Sequence, residues 1–173
     1  LAWSSPAAQL SEPEARAWVL ELEDTRTCDE KALATLARHP APGVRVAVAR
    51  VLGELAAPRA TRLLEKVGRD KLTEVRCATA QAAGRLGLTL GAAAPRSLRT
   101  LLGRLLDDRE AEVRKAAAWG LAAGFVDESG GALLKRLGRE ASAEVQAAIL
   151  AELWRLPDRG WIGVAGSQLG ALF

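Results

Sequence analysis

The 173-residue sequence has no methionine, one histidine and two cysteines. The histidine, His39, has no HxxE or CxxC spacing around it, so we do not expect a metal site. Cys28 and Cys77 lack a partner motif and are expected to be reduced intracellular thiols. No nucleophile elbow, P-loop or dinucleotide fingerprint occurs. This inventory predicts that the chain is not an enzyme and carries no cofactor.

Long apolar runs and a leader segment are also missing. No run approaches the roughly 18 apolar residues that a membrane-crossing helix needs. The start, Leu1-Ala2-Trp3, has no basic region before an apolar core, so no signal peptide is expected. Because methionine is absent altogether, we expect the chain to be a segment of a longer protein. We predict an intracellular, cytoplasmic location, with a cytoskeletal or other large assembly as an alternative, and no membrane or small-molecule substrate.

Charge of one sign is not in large excess. The 24 basic residues stand against 21 acidic ones, for a formal net charge of +3. Most arginines are therefore expected to have acidic counterparts, and no clustering of basic residues is evident along the sequence. A nucleic-acid partner, which needs such clustering, is not favoured.

What the sequence does contain is one pattern that occurs four times. Each copy is anchored by a valine, and the intervals between these valines are 31, 38 and 32 residues: Val44, Val75, Val113 and Val145. Alanine lies three positions after every valine, and leucine lies eleven positions before it. Apolar positions at this spacing share one face of a helix, so each copy predicts two helices joined by a short polar loop. The second helix is rich in small residues, which indicates close packing between neighbours in a stack.

The pattern combines an acidic residue in the loop, a Val-Arg-x-Ala segment at the start of the second helix and a glycine later in that helix. This combination resembles the HEAT-repeat family, and most of all its short phycobilisome-lyase-like form. The resemblance covers residues 28–156 and implies an all-α, right-handed α-solenoid of stacked helical hairpins. Residues 1–27 are then an N-terminal partial repeat or cap, and residues 157–173 are a partial repeat or an apolar C-terminal cap. The fourth repeat departs from the pattern at Gln146, Leu150 and Trp154. Members of this family are mostly scaffolds and adaptors.

Two series of charged residues recur at fixed repeat positions beside the loops. Arginine directly follows three of the four valines, and an acidic residue lies five positions before three of them: Arg45, Arg76 and Arg114, and Asp70, Asp108 and Glu140. Gln146 and His39 take these two positions in the remaining repeats. We predict a structural ladder of arginine–carboxylate pairs between adjacent repeats. Phosphate binding by the arginines is the alternative.

A second set of residues is predicted to face away from the hairpin partner, on the surface lined by the second helices. This candidate partner-binding strip comprises Arg50, Gln81, Arg85, Lys115 and Trp119. Trp119 is its proposed anchor, since Trp and Arg dominate binding hot spots. The alternative is that Trp119 only fills space between repeats.

Local signals predict where helices begin and end. Ser11 with Glu14, and Thr27 with Glu30, are typical of capped helix starts. Ser129-Gly130-Gly131 is predicted to open the fourth hairpin, and residues 87–95 to form an extended loop between repeats. The apolar stretches 1–3 and 169–173 suggest that both ends are covered within a complex.

The sequence therefore predicts a non-catalytic protein–protein interaction scaffold or adaptor, acting as a structural segment of a larger chain or assembly. A module that binds nucleic-acid backbone is the first alternative. An enzyme of the bilin-lyase type, which would need a chromophore and a second subunit, is the other.

Overall fold

The computed structural model describes residues 10–157, and the regular secondary structure of these residues is helical, without a strand. The helices are α1 (Glu12–Asp24), α2 (Glu30–Leu36), α3 (Pro42–Glu54), α4 (Ala60–Val67), α5 (Thr73–Leu90), α6 (Arg96–Leu106), α7 (Ala111–Gly124), α8 (Val126–Leu137) and α9 (Ala143–Arg155). Each anchoring valine lies in an odd-numbered helix and is fully buried. The predicted all-α solenoid of stacked hairpins is confirmed.

The odd-numbered helices form the more tightly packed row. α5 packs most extensively against α3 and α7, whereas α2, α4 and α6 touch one another only slightly. α1 joins this row by packing on α3.

Glycine and alanine make this tight packing possible. A methyl group built on Gly53 would lie 2.8 Å from the Cα of Ala82, and one on Gly84 would lie 2.5 Å from the Cα of Gly120. Both separations are shorter than any carbon–carbon contact, so the helix backbones touch directly. Between the rows, leucines fill the space, including Leu33, Leu64, Leu102 and Leu133.

At each of the first three junctions between repeats, the chain changes direction at one residue whose backbone is in the left-handed region. These residues are Arg26, Ala56 and Gly91, with φ of 52°, 49° and 51°. At the fourth junction, between α7 and α8, Phe125 has a φ of −145° instead, and α8 starts at the next residue. Only one of the left-handed residues is glycine, so composition does not reveal these turns.

Three predicted helix boundaries are wrong. Residues 87–90 continue α5, and Gly91–Ala93 form a 3₁₀ turn, because Gly87 packs against the ring of Phe125 instead of turning. Ser129-Gly130-Gly131 lies inside α8, where the Ser129 hydroxyl donates to the carbonyl of Val126. The start of α2 is capped by Asp29, whose carboxylate accepts from the amides of Lys31 and Ala32, and not by Thr27.

The predicted start of α1 is confirmed. Glu14 accepts hydrogen bonds from both the amide and the hydroxyl of Ser11, at 2.9 and 2.6 Å. The apolar segments 1–3 and 169–173 lie outside the described residues.

Candidate partner-binding surface

The exposed sides of the odd helices form one surface, which we call the odd-helix face. Arg50, Gln81 and Arg85 are exposed on it, while Lys115 and Trp119 are half-buried. All five residues of the predicted strip therefore reach this surface. The structure brings only two of them, Arg50 and Arg85, into a common cavity.

That cavity is a groove of about 640 Å³ between α1, α3 and α5. Its apolar lining includes Val19, Leu20 and Val46, and Leu20 is 59 % exposed. Its charged lining is balanced, with three arginines and three glutamates: Arg16, Arg50, Arg85, Glu23, Glu54 and Glu74. A groove of this composition can accept a chain segment that carries both apolar and charged side chains.

The charges of the groove are not equally available to a ligand. Arg85 donates to Glu54 at 2.9 Å, and Arg16 lies 3.7 Å from Glu12. Arg50 has no ion pair with any residue between 10 and 157. Its guanidinium is therefore the group in the groove with the most hydrogen-bonding capacity left for a ligand.

Lys115 and Trp119 lie on α7, away from the groove. The ammonium group of Lys115 lies 2.7 Å from Glu112 and 3.4 Å from Glu144, and the hydrogen bond from Lys115 to Glu112 raises its pKa. Lys115 thus links α7 to α9 and has fewer hydrogen-bond donors left for a partner. Trp119 is partly accessible, which leaves both its proposed anchoring role and its packing role open.

Sequence reasoning missed the contribution of α1 to the groove. Arg16, Leu20 and Glu23 share one helical face, which lies beside the face of the buried residues Ala15, Val19 and Leu22. The signal was available as the spacing of four and three residues in α1. It could be assigned to a groove only once α1 was known to pack on α3.

The loop edge of the stack carries the ladder residues. Each arginine forms a two-pronged pair with the carboxylate of the next repeat: Arg45 with Asp70 at 2.7 Å, Arg76 with Asp108 at 2.7 Å, and Arg114 with Glu140 at 2.8 Å. The remaining nitrogen, Nη1, donates to two carbonyls of the arginine's own loop. Every carboxylate also accepts from the amide two residues further on. One guanidinium therefore fixes two successive loops.

The two ends of the ladder use neutral groups in the same positions. His39 occupies the carboxylate position of the first repeat, where its Nδ1 accepts from the amide of Ala41 at 3.2 Å. This assigns the proton to Nε2, which donates to the carbonyl of Leu10 at 3.0 Å. Gln146 occupies the arginine position of the fourth repeat and donates to the carbonyl of Glu140 at 2.7 Å.

The ladder carboxylates are held ionised. Burial alone would raise the pKa of Glu140, but hydrogen bonds from Arg114, the Ser142 amide and Arg136 outweigh it and lower the pKa to about 2. The same opposition of burial and hydrogen bonds leaves the pKa of Asp70 and of Asp108 lowered. The arginines of the ladder are thereby committed to carboxylates and loop carbonyls. The alternative prediction, that they bind phosphate, therefore conflicts with their geometry.

Within residues 10–157, no group of three or more His, Cys, Asp or Glu side chains is arranged to hold a metal ion. None of the helices in this part of the chain is long and apolar enough to cross a membrane. The thiols of Cys28 and Cys77 are free and partly buried, and burial raises the pKa of Cys77.

Comparison with known proteins agrees with the repeat and the fold. The family described as HEAT repeats matches residues 30–122, which is more than half of the chain. A solved structure, the complex of CpcE and CpcF of phycocyanin lyase from Nostoc sp. PCC7120, contains a similar chain with 26 % sequence identity and a TM-score of 0.67. The similarity covers 84 % of this chain and 92 % of that one. No curated protein matches the sequence.

The neighbour bears on two of the functional predictions. It is a complex of two proteins, in keeping with a helical repeat protein that interacts with other proteins. It is also described as a phycocyanin lyase, and so gives no support to the prediction that the present chain is not an enzyme. The repeat pattern, the stacked hairpins and the family match lead to one conclusion: the chain belongs to the HEAT-repeat family.

Proposed function

We propose that this chain is a non-catalytic protein-interaction segment that binds a partner protein through its odd-helix face. The observation that carries the proposal is the groove between α1, α3 and α5. It combines the exposed apolar side chain of Leu20 with the guanidinium of Arg50, which has no ion pair among the described residues. Apolar contact surrounded by polar groups is the usual anatomy of a protein interface.

The groove has a rigid backing. The helices beneath it are in direct backbone contact at Gly53 and Ala82, and the loops behind them are fixed by Arg45 and Arg76. A pre-formed surface loses little conformational freedom when a ligand binds, which favours affinity. Gln81 and Trp119 extend the same face beyond the groove and would meet the partner at its far end.

The structural comparison supports a partner of this kind, because the similar chain is part of a two-protein complex. We further propose an intracellular, cytoplasmic setting and a place in a larger chain or assembly. The free thiols of Cys28 and Cys77 fit a reducing compartment.

The test uses two matched pairs of variants. Leu20→Ser and Arg50→Ala alter the groove, while Val126→Ser and Arg62→Ala change exposed side chains of the even-numbered helices α8 and α4. The partner is first identified by co-purification from native extract, and its affinity for each variant is then measured by titration. We expect each groove variant to weaken binding by about tenfold, as for hot-spot side chains, and each control to stay within about twofold.

Equal effects of the groove and control variants would contradict the proposal. Trp119→Ala then distinguishes the two roles of this residue. Loss of affinity with unchanged stability supports an anchor, and loss of stability alone supports packing.

The similarity to a phycocyanin lyase supports a second candidate function, in which the chain is one subunit of a lyase-type complex. The test is to incubate phycocyanin apoprotein and free bilin chromophore with the chain, alone and together with its co-purified partner, and to follow visible absorption. A spectral change that requires both the chain and its partner would favour this candidate over the non-catalytic protein-interaction role.

A further inference from the structure

A second surface, unrelated to the groove, lies on the loop edge between the second and third repeats. An open cavity of about 390 Å³ there is lined by the ladder residues Asp70, Arg76 and Asp108 and by four further basic side chains: Arg69, Lys71, Arg104 and Arg109. None of them lines the groove on the odd-helix face. The linear sequence shows no such clustering, because these residues come together only when the loops of two repeats stack.

These cations have few acidic partners. Among residues 10–157, Arg69, Lys71 and Arg104 form no ion pair, and Arg109 meets only its exposed neighbour Glu110 at 3.4 Å. The nearby ladder carboxylates are already engaged by Arg45 and Arg76. Burial, and then the charge of Arg69, lowers the pKa of Arg104, while Asp108 and Glu65 act in the opposite direction.

At the junction of the third and fourth repeats, a carboxylate neutralises the corresponding basic side chains. Asp107 occupies the repeat position of Arg69, and it accepts from Arg136 and Arg139 at 3.5 and 2.6 Å. Arg136 occupies the repeat position of Arg104. A carboxylate is therefore compatible with this position in the fold, and Arg69 places a positive charge where the following repeat has a negative one.

The positive charge continues into the preceding repeat. Arg38 and Lys66 occupy the positions of Arg69 and Arg104 one repeat earlier, and both are exposed without an ion pair in the described part of the chain. The basic residues thus form a row over three repeats, not a single pocket. An extended polyanion matches this distribution better than a compact anion does.

The side chains around this row of basic residues also indicate which class of polyanion it can bind. The large hydrophobic side chains that are exposed between residues 10 and 157 are Leu20, Leu88, Val126 and Trp154, and none of them lines the basic cavity. A protein partner needs apolar anchors, and a single strand needs aromatic side chains for base stacking. A duplex phosphate backbone needs only basic groups.

We propose that the loop edge of the first three repeats binds the phosphate backbone of a double-helical nucleic acid without reading its sequence. Arg69, Lys71, Arg104 and Arg109 are the central contacts, and Arg38 and Lys66 extend them. This proposal does not depend on the groove or on its protein partner.

The test measures binding of the full chain to fluorescent duplexes of about 20 base pairs, one DNA and one RNA, between about 50 and 200 mM salt. We expect affinity that is independent of base sequence and falls steeply with salt. With about four to six phosphate contacts, the slope of log affinity against log salt should be about −4 to −5. A polyglutamate chain and a single strand of the same length serve as competitors and should compete weakly.

The chain supplies a matched pair of variants at one repeat position. Arg69→Gln should weaken duplex binding about threefold or more and reduce the salt slope by about 1, because one phosphate contact is lost. Arg139→Gln removes the same charge from a side chain that is paired with Asp107, and should change affinity less than twofold. Arg69→Asp recreates the neutralised arrangement of the next repeat, and should weaken duplex binding by about tenfold or more while unfolding stability is retained.

Three results would overturn the proposal. The first is salt-independent binding or no binding of either duplex, and the second is stronger binding of polyglutamate than of duplex. The third is an equal loss of affinity in Arg69→Gln and Arg139→Gln, which would show that only net charge matters.

Discussion

Each ladder arginine acts as a connector between two loops, and not merely as one half of an ion pair. Arg76 uses Nε and Nη2 for Asp108 of the next loop, and Nη1 for the carbonyls of Asp70 and Lys71 in its own loop. The planar guanidinium suits this division, because its donors point in fixed directions. A lysine could not reach the same set of acceptors.

This geometry predicts the result of replacing Arg76 by glutamine. Gln146 shows that glutamine at this repeat position can still donate to a loop carbonyl. The side chain of Asp108, which is 11 % exposed, would however lose its counter-charge. We expect Arg76→Gln to lower the free energy of unfolding by about 3–5 kcal/mol, measured by denaturant titration, as for other broken buried pairs.

The double variant Arg76→Gln/Asp108→Asn is the control. It removes the uncompensated charge and should recover part of the lost stability, so that the two substitutions are not additive. Additive losses would show that the loop carbonyls, and not the carboxylate, account for the effect.

At the scale of helices, the packing of the odd row depends on small residues at facing positions. Gly84 and Gly120 face each other across α5 and α7, and a methyl group on Gly124 would lie 2.7 Å from the carbonyl oxygen of Gly84. The obstacle in each case is backbone, which cannot rotate away as a side chain can. The distance between these helices is therefore set by glycine.

Gly84→Ala and Gly103→Ala are predicted to have opposite effects on stability. Alanine at Gly84 would force α5 and α7 apart and should destabilise the fold by about 1–3 kcal/mol or more. Gly103 lies inside α6 with nothing within 4 Å of the added methyl group. Alanine there should stabilise by about 0.5–1 kcal/mol through helix propensity.

Thermal and denaturant unfolding of both variants provide the measurement. Equal stabilisation of both would show that α5 and α7 can separate without loss, and would remove the argument for close packing of the odd row.

Much of the helical layout could be predicted from the sequence, because the four valines and the leucines before them have a strict spacing. The positions of Arg45, Arg76 and Arg114 followed from the same register. An ion pair whose two partners occupy fixed repeat positions can be predicted without knowledge of the rest of the fold.

Two of the three wrong boundaries have a common physical cause. Glycine permits turns, but it also permits contact between backbones, and sequence alone does not separate the two uses. Gly87 is a contact residue against Phe125, and Gly130 lies within a helix. Conversely, Ala56 adopts a left-handed turn that alanine normally avoids.

The two candidate surfaces could not be predicted fully, because each is formed by residues from different repeats. The groove needs α1 beside α3, and the basic row needs the loops of successive repeats to stack. The net charge of the chain could not predict the basic row, because arginines with and without an ion pair contribute equally to the net charge.

At the scale of the whole molecule, the carboxylates of the ladder make stability depend on pH. The folded pKa values of Asp70, Asp108 and Glu140 are lowered below those of the unfolded chain. The unfolded chain therefore binds more protons at acidic pH, and stability is lost as pH falls. With a folded pKa of about 2, Glu140 alone contributes on the order of 3 kcal/mol.

We expect full stability above about pH 5 and a steep loss between about pH 5 and 2, measured by urea titration at fixed ionic strength. Glu140→Gln is the control, because it should be less stable at neutral pH and show a shallower loss on acidification. An unchanged acid dependence in this variant would contradict the role assigned to Glu140.

The loop edge and the odd row differ in how they constrain the order of the repeats. The rungs of the ladder are interchangeable, since Arg45 meets Asp70 as Arg76 meets Asp108. A repeat could therefore be deleted or duplicated and the new neighbours would still join along this edge. The odd row is more demanding, because each junction needs small residues at both facing positions, as Gly53 with Ala82 and Gly84 with Gly120. Shuffling of repeats, in evolution or in design, is thus permitted by the electrostatic edge and restricted by the steric one.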